Sequence, residues 1–251
     1  MYNALVEAFR AAQVASADAI ARVSALAAQA GAEALVVPLH VDHPGEFRRF
    51  LRCLVASLID RASNEFGIAG APVSIDETRI PVNGYPNIWE AIRAGETPDL
   101  DRYWRVLAER YEHCGRALAC RQVAKTLAAS LQLDSPNAVR RFTKVMRLRL
   151  KAPSLTTVVR PMRRIAVEAH AEVRAALLAL AAFAQDAGEP ALAGCLRQFD
   201  HGEAFGPQQR RTFPGLDVLQ YNEYWELRFS AALGERLLAF VDQHLSEPVA
   251  A

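Results

Sequence analysis

The chain has 251 residues, 51% of them apolar and 23% charged, with a formal net charge of +1. That apolar share supports a packed core and excludes a wholly disordered chain. No run reaches the roughly 18 uncharged apolar residues that span a bilayer; the nearest, residues 175–185, sits between Arg174 and Asp186 and reads as a buried helix.

Residues 2–30 read as one long helix, with Leu5, Phe9, Val14, Ala19, Val23 and Leu26 at helical steps and Gly31 as its stop. Ala8, Ala11, Ala12 and Ala15 give it a face suited to close helix packing, so this element is the candidate for homo-oligomerisation. Residues 34–41 read as a short strand. Pro44 opens a second helix over 45–66, with Phe47, Phe50, Leu51, Leu54, Leu58 and Ile59 as its apolar stripe. Gly67, Gly70, Pro72, Pro81, Gly84 and Pro86 mark a loop, and a first boundary falls near residue 84. A short helix over 87–94 precedes a long helical stretch over 98–133, with a break at Gly115. Ser135-Pro136 pairs an N-cap with proline at the first helical position, which predicts a helix ending at Pro153. Residues 156–160 read as a strand, 162–186 and 190–199 as helices, and 200–215 as loop. Residues 217–229 read as one or two strands turning at Asn222-Glu223, and 231–245 as a last helix. The predicted class is α+β, mostly α-helical, with a central basic helical module and a small β element near the C-terminus. The predicted regions are 1–84, 85–165 and 166–251.

The near-neutral total hides a polarised molecule. Residues 116–164 hold twelve basic residues and one acid, Asp134, for a net +11. Residues 1–115 hold eleven arginines against fifteen acids, net −4, and residues 165–251 hold six against twelve, net −6. A concentrated positive field calls for a large anion: a phosphate backbone, an anionic membrane or an acidic protein surface. On a helix after Ser135, Arg140, Lys144, Arg147 and Lys151 fall within about 60° of one another, opposite Val139, Phe142, Val145, Met146 and Leu150. Like charges at that spacing repel, and no glutamate is interleaved among them.

Residues 122–142 then have the layout helix, short turn, basic second helix, that of a helix-turn-helix. The piece from Leu133 to Val139 resembles the turn of winged-helix repressors over about seven residues, though without a glycine in the turn. The resemblance implies that Asn137, Arg140 and Arg141 approach bases or phosphates, while Lys144, Arg147, Arg149 and Lys151 contact backbone. The expected function is nucleic-acid binding, double-stranded DNA more than RNA, in a regulator or an accessory factor of DNA processing. The alternative is an adaptor whose basic face docks an acidic partner protein. A membrane surface is disfavoured because the apolar face of the basic helix lacks tryptophan.

Signals for catalysis are sparse. His40, Asp42 and His43, with Glu46 nearby, have ligand types that could hold a divalent cation in a metal-dependent hydrolase. Asp42 equally suits capping of the helix that follows. No G-x-S-x-G, Walker A or G-x-G-x-x-G motif occurs, and none of the three lysines completes a D…E-x-K nuclease pattern. No cofactor or catalytic residue is assigned. Tyr221, Tyr224, Trp225 and Phe229 offer either a core strand or a platform for stacking bases. Cys53, Cys114, Cys120 and Cys195 form no C-x-x-C pair and read as buried free thiols. The first residues lack the basic-then-apolar layout of a signal peptide, so a cytoplasmic protein is expected.

Overall fold

The computed structural model of the chain describes residues 1–30, 42–157 and 162–246. The strand expected over 34–41, residues 158–160 of the one expected over 156–160, and His40 lie outside them. The protein is mostly helical α+β, with 58% of the described residues in helices and a small antiparallel sheet near the C-terminus. It forms two compact units, Met1–Ala62 with Ile75–Arg110 and Ser63–Ser74 with Tyr111–Ala251.

The first unit is built from helices: α1 (Tyr2–Gln29), most of α2 (His43–Phe66), α3 (Ile88–Arg93) and most of α4 (Leu100–Tyr111). Helices α1 and α4 cap one another. The Asp101 carboxylate accepts from the amides of Tyr2 and Asn3 at 2.8 and 3.3 Å, and Asn3 Oδ1 accepts from the Leu100 amide at 2.9 Å. A carboxylate at a helix N-terminus satisfies free amides and meets the positive end of the helix dipole. Hydrogen bonds from Asn3 hold Asp99 below the usual carboxylate range, and those from the N-terminal ammonium and the Tyr2 amide do the same for Asp101. Phe9 of α1 stacks on Phe50 of α2 with ring centroids 4.2 Å apart. Only Tyr2 and Val6 of α1 are buried, whereas Val14, Val23 and Leu26 are exposed.

The second unit runs α5 (Gly115–Ser130), β1 (Arg140–Arg141), β2 (Val145–Lys151), β3 (Ser154–Thr156), β4 (Arg163–Ile165), α6 (His170–Asp186), α7 (Pro190–Gln198), β5 (Gln209–Phe213), β6 (Leu216–Gln220), β7 (Tyr224–Ser230) and α8 (Ala231–Ser246). Five strands form an antiparallel sheet in the order β1-β2-β7-β6-β5, and β3 pairs with β4 in a separate ribbon. Strand side chains alternate between the faces. Met146, Leu148 and Leu150 of β2, Trp225, Leu227 and Phe229 of β7, and Leu216 and Val218 of β6 are buried on one face. Helix α8 lies against β2 and β7 there, with α5 packed on α6 and α8. Gly234 permits that approach, since a Cβ on it would stand 2.7 Å from Met146 Sδ. Pro214-Gly215 turns β5 into β6, with Gly215 at φ +73° supplying the left-handed residue that a type II turn requires.

Several expectations are corrected. The helix predicted from Ser135 to Pro153 is not formed, so neither is the second helix of a helix-turn-helix. The Ala138 amide donates to the Ser135 carbonyl at 3.0 Å, closing a β-turn with Pro136 at its second position. Serine followed by proline and asparagine is turn chemistry as well as helix-start chemistry. Residues 145–151 then alternate apolar and basic with the period of a strand. The helix expected over 162–186 starts only at His170, because residues 163–165 pair with β3. The loop expected over 200–215 contains β5. All four cysteines are free, but Cys53 and Cys195 are exposed and only Cys120 is buried.

Candidate nucleic-acid interface

The side of the sheet away from α8 carries the basic residues. The buried residues of β2 face the helices, which leaves Val145, Arg147, Arg149 and Lys151 on the open face. Residues directly opposite across a ladder share a face. Register therefore places Arg140, Arg147 and Arg228 in one cross-strand row, with Asp217 and Thr212 continuing it. A second row runs Arg149, Glu226, Leu219 and Arg210, and Lys151 stands opposite Tyr224. The open face thus holds six cations (Arg140, Arg147, Arg149, Lys151, Arg210 and Arg228) against two carboxylates, Asp217 and Glu226.

Those carboxylates are already engaged. Glu226 accepts from Arg228 at 2.5 Å and lies 3.9 Å from Arg147, while Asp217 accepts from Arg210 at 2.5 Å. Arg140, Arg149, Lys151 and the hairpin-tip Lys144 make no ion pair among the described residues. Like charges directly opposite on strands about 5 Å apart oppose the fold by tenths of a kcal/mol each. The row Arg140–Arg147–Arg228 accepts that repulsion twice.

Aromatic rings stand beside the cations. The Arg147 guanidinium lies 4.4 Å from the centroid of Phe142, and that of Arg149 lies 4.6 Å from Tyr224. Tyr221 stacks on Tyr224 at 4.9 Å with 25° between the ring planes. The predicted aromatic group therefore divides: Trp225 and Phe229 are core, while Tyr221 and Tyr224 are half-buried.

Of the seven residues predicted to contact nucleic acid, the fold brings Arg140, Arg147, Arg149 and Lys151 onto one surface. Lys144 sits in the β1–β2 turn, where its carbonyl accepts from the Ala231 amide at 3.1 Å. Asn137 is exposed in the turn before β1. Arg141 points to the other side, where it pairs with Glu235 of α8 at 2.9 Å. Arg210 and Arg228 join the surface without having been legible as part of it. The alternation in residues 224–230 carries the signal for Arg228; β5 is too short and polar to announce itself.

The second candidate behaves differently. Asp42 Oδ1 accepts from the Gly45 amide at 3.1 Å, the geometry of a helix cap at the start of α2. His40 lies outside the described residues, and among those described no three His, Cys, Asp or Glu side chains are grouped to hold a metal ion. A cleft of about 460 Å³ at the end of β2 is lined by Thr126, Ser130, Gln132, Lys151 and Glu172, among others, and contains no histidine or cysteine.

His170 and His201 face each other with ring centroids 5.4 Å apart, and His170 Nε2 is 3.2 Å from the Ile165 carbonyl. Burial, reinforced by His170 and Arg174 and opposed by Asp200, holds His201 below the ordinary value of 6.5. The unfolded chain therefore binds this proton more readily than the folded one, and stability falls as pH drops below 6.5. His201→Gln is expected to reduce the loss of Tm on acidification from about pH 7 to about pH 5.5. An unchanged pH dependence of Tm in the variant would contradict this assignment.

Compared with protein-family models, curated proteins and solved structures, the chain matches none.

Proposed function

We propose that the chain is a nucleic-acid-binding protein, a regulator or an accessory factor of nucleic-acid processing, that holds phosphates on the open face of its five-stranded sheet. The observation that carries this reading is the row Arg140–Arg147–Arg228 with Arg149 and Lys151 beside it, exceeding the carboxylates available to neutralise it. An external polyanion relieves the repulsion that the fold tolerates. The preference for duplex DNA rests on a helix that enters a groove, and that helix is not formed.

Fluorescence anisotropy with labelled oligonucleotides tests the reading. Binding is expected with Kd near or below about 10⁻⁵ M at low salt. Polyglutamate at equal charge should compete poorly. Equal competition would favour the adaptor with an acidic protein partner, and no oligonucleotide binding would reject the nucleic-acid reading.

A second reading, a homo-oligomer formed through α1, draws on Val23 and Leu26, which are 50 and 65% exposed and lie about one turn apart on the same side of that helix as Ala8, Ala11, Ala12 and Ala15. Exposed aliphatic side chains that share a helix face favour burial against another surface. Val23→Glu with Leu26→Glu is expected to convert an oligomer into monomer in sedimentation velocity. A wild-type chain that sediments as a monomer at high concentration would dismiss this reading.

A further inference from the structure

We infer that the nucleic acid held on the sheet is single-stranded, its unpaired bases stacking on Phe142 at one end of β2 and, at the other, on Tyr221, the outer ring of the Tyr221–Tyr224 stack; this rests on the nucleic-acid reading above. The Phe142 amide donates to the Val145 carbonyl at 2.9 Å, which places Phe142 beside the first residue of β2. Tyr224 stands opposite Lys151, the last residue of β2. The two ring sites are thus separated by the length of the strand, about 20 Å. Arg147 and Arg149 lie between them, and each rests over one ring.

That alternation of cation and ring suits a strand whose phosphates and base faces are both accessible. A duplex buries its base faces in its own stack, whereas unpaired bases offer them to aromatic side chains. Phe142 has little core role to explain it, because the residue is 51% exposed. An element that reads a major groove must project into it. Here β2 is paired on both sides, by β1 and β7, and so belongs to a continuous sheet surface. The rings supply stacking and the cations supply phosphate contact, a combination that tolerates many sequences.

The test uses the full chain with fluorescein-labelled dT12, U12 and a 12-base-pair duplex at about 50 mM monovalent salt. The expected result is tighter binding of either single strand than of the duplex. Phe142→Ala should weaken single-strand binding about tenfold and leave duplex binding unchanged. Circular dichroism confirms that the variant is folded, and photo-cross-linking of 4-thiouridine-substituted U12 to Phe142 or Tyr221 gives an independent readout. A difference between dT12 and U12 distinguishes DNA from RNA. Duplex binding as tight as single-strand binding, with no effect of Phe142→Ala, overturns the single-strand inference and leaves nucleic-acid binding intact. Absence of binding to all three probes overturns both.

Discussion

Replacing Arg140, Arg149 and Lys151 together by serine is expected to lower oligonucleotide affinity roughly 100-fold at about 0.1 M monovalent salt, with Tm unchanged or slightly higher. The magnitude follows from counterion release. Each lost phosphate contact on a single strand removes about 0.7 from the salt exponent, and at about 0.1 M that is about fivefold in affinity. The three side chains are exposed and make no ion pair among the described residues, so their removal costs the fold little packing. Removing Arg140 also relieves its repulsion with Arg147 directly opposite. Anisotropy titration and a thermal melt of the same preparation check both parts. Undiminished affinity would place the contact surface elsewhere; a large fall in Tm would mean that these cations hold the fold together.

Trp225→Ala is expected to destabilise the second unit by about 3–5 kcal/mol. Trp225 is fully buried near the start of β7, opposite Leu150 on one side and Gln220 on the other. Its ring lies 5.8 Å from Phe199 and 6.3 Å from Phe205. Phe199 and Phe205 cannot fill the space left by an indole without moving from their own packed positions. Its Nε1–H and the Gln220 Oε1 have no hydrogen-bond partner among the described residues. Trp225→Phe removes that unpartnered donor while keeping most of the volume, and should cost far less than the alanine change. Urea denaturation of both variants checks the order. Equal costs for the two would contradict the cavity account.

The sequence made the helices legible and left much of the sheet hidden. Residues 2–30 and 45–66 carry long helical periodicity bounded by clear breakers, and α1 and α2 follow it closely. The segment after Ser135 satisfies two periods at once. Arg140, Lys144, Arg147 and Lys151 line up on a helix, while Met146, Leu148 and Leu150 alternate with Arg147, Arg149 and Lys151 as on a strand. Pairing with β7 decides between them, because only the extended form buries Met146, Leu148 and Leu150 together on the face covered by α6 and α8. That partner lies more than seventy residues away in the chain, beyond the reach of local pattern. The candidate site inherits the same limit. The basic character of residues 140–151 is plain from composition, but the meeting of Arg147 with Arg228 depends on long-range register. Residues 217–229 read as one or two strands, and the structure has two, β6 and β7, separated at residues 221–223 where the alternation is interrupted.

The slope of log Kd against log salt concentration for U12, between about 50 and 200 mM, tests the central claim most directly. Arg140, Lys144, Arg149 and Lys151, free of ion pairs among the described residues, predict a slope near 3 and a loss of affinity of about 50-fold across that range. The serine triple variant retains only Lys144 of these four and should show a slope below about 1. A wild-type slope near zero, or the same slope in both proteins, would contradict phosphate binding on the sheet.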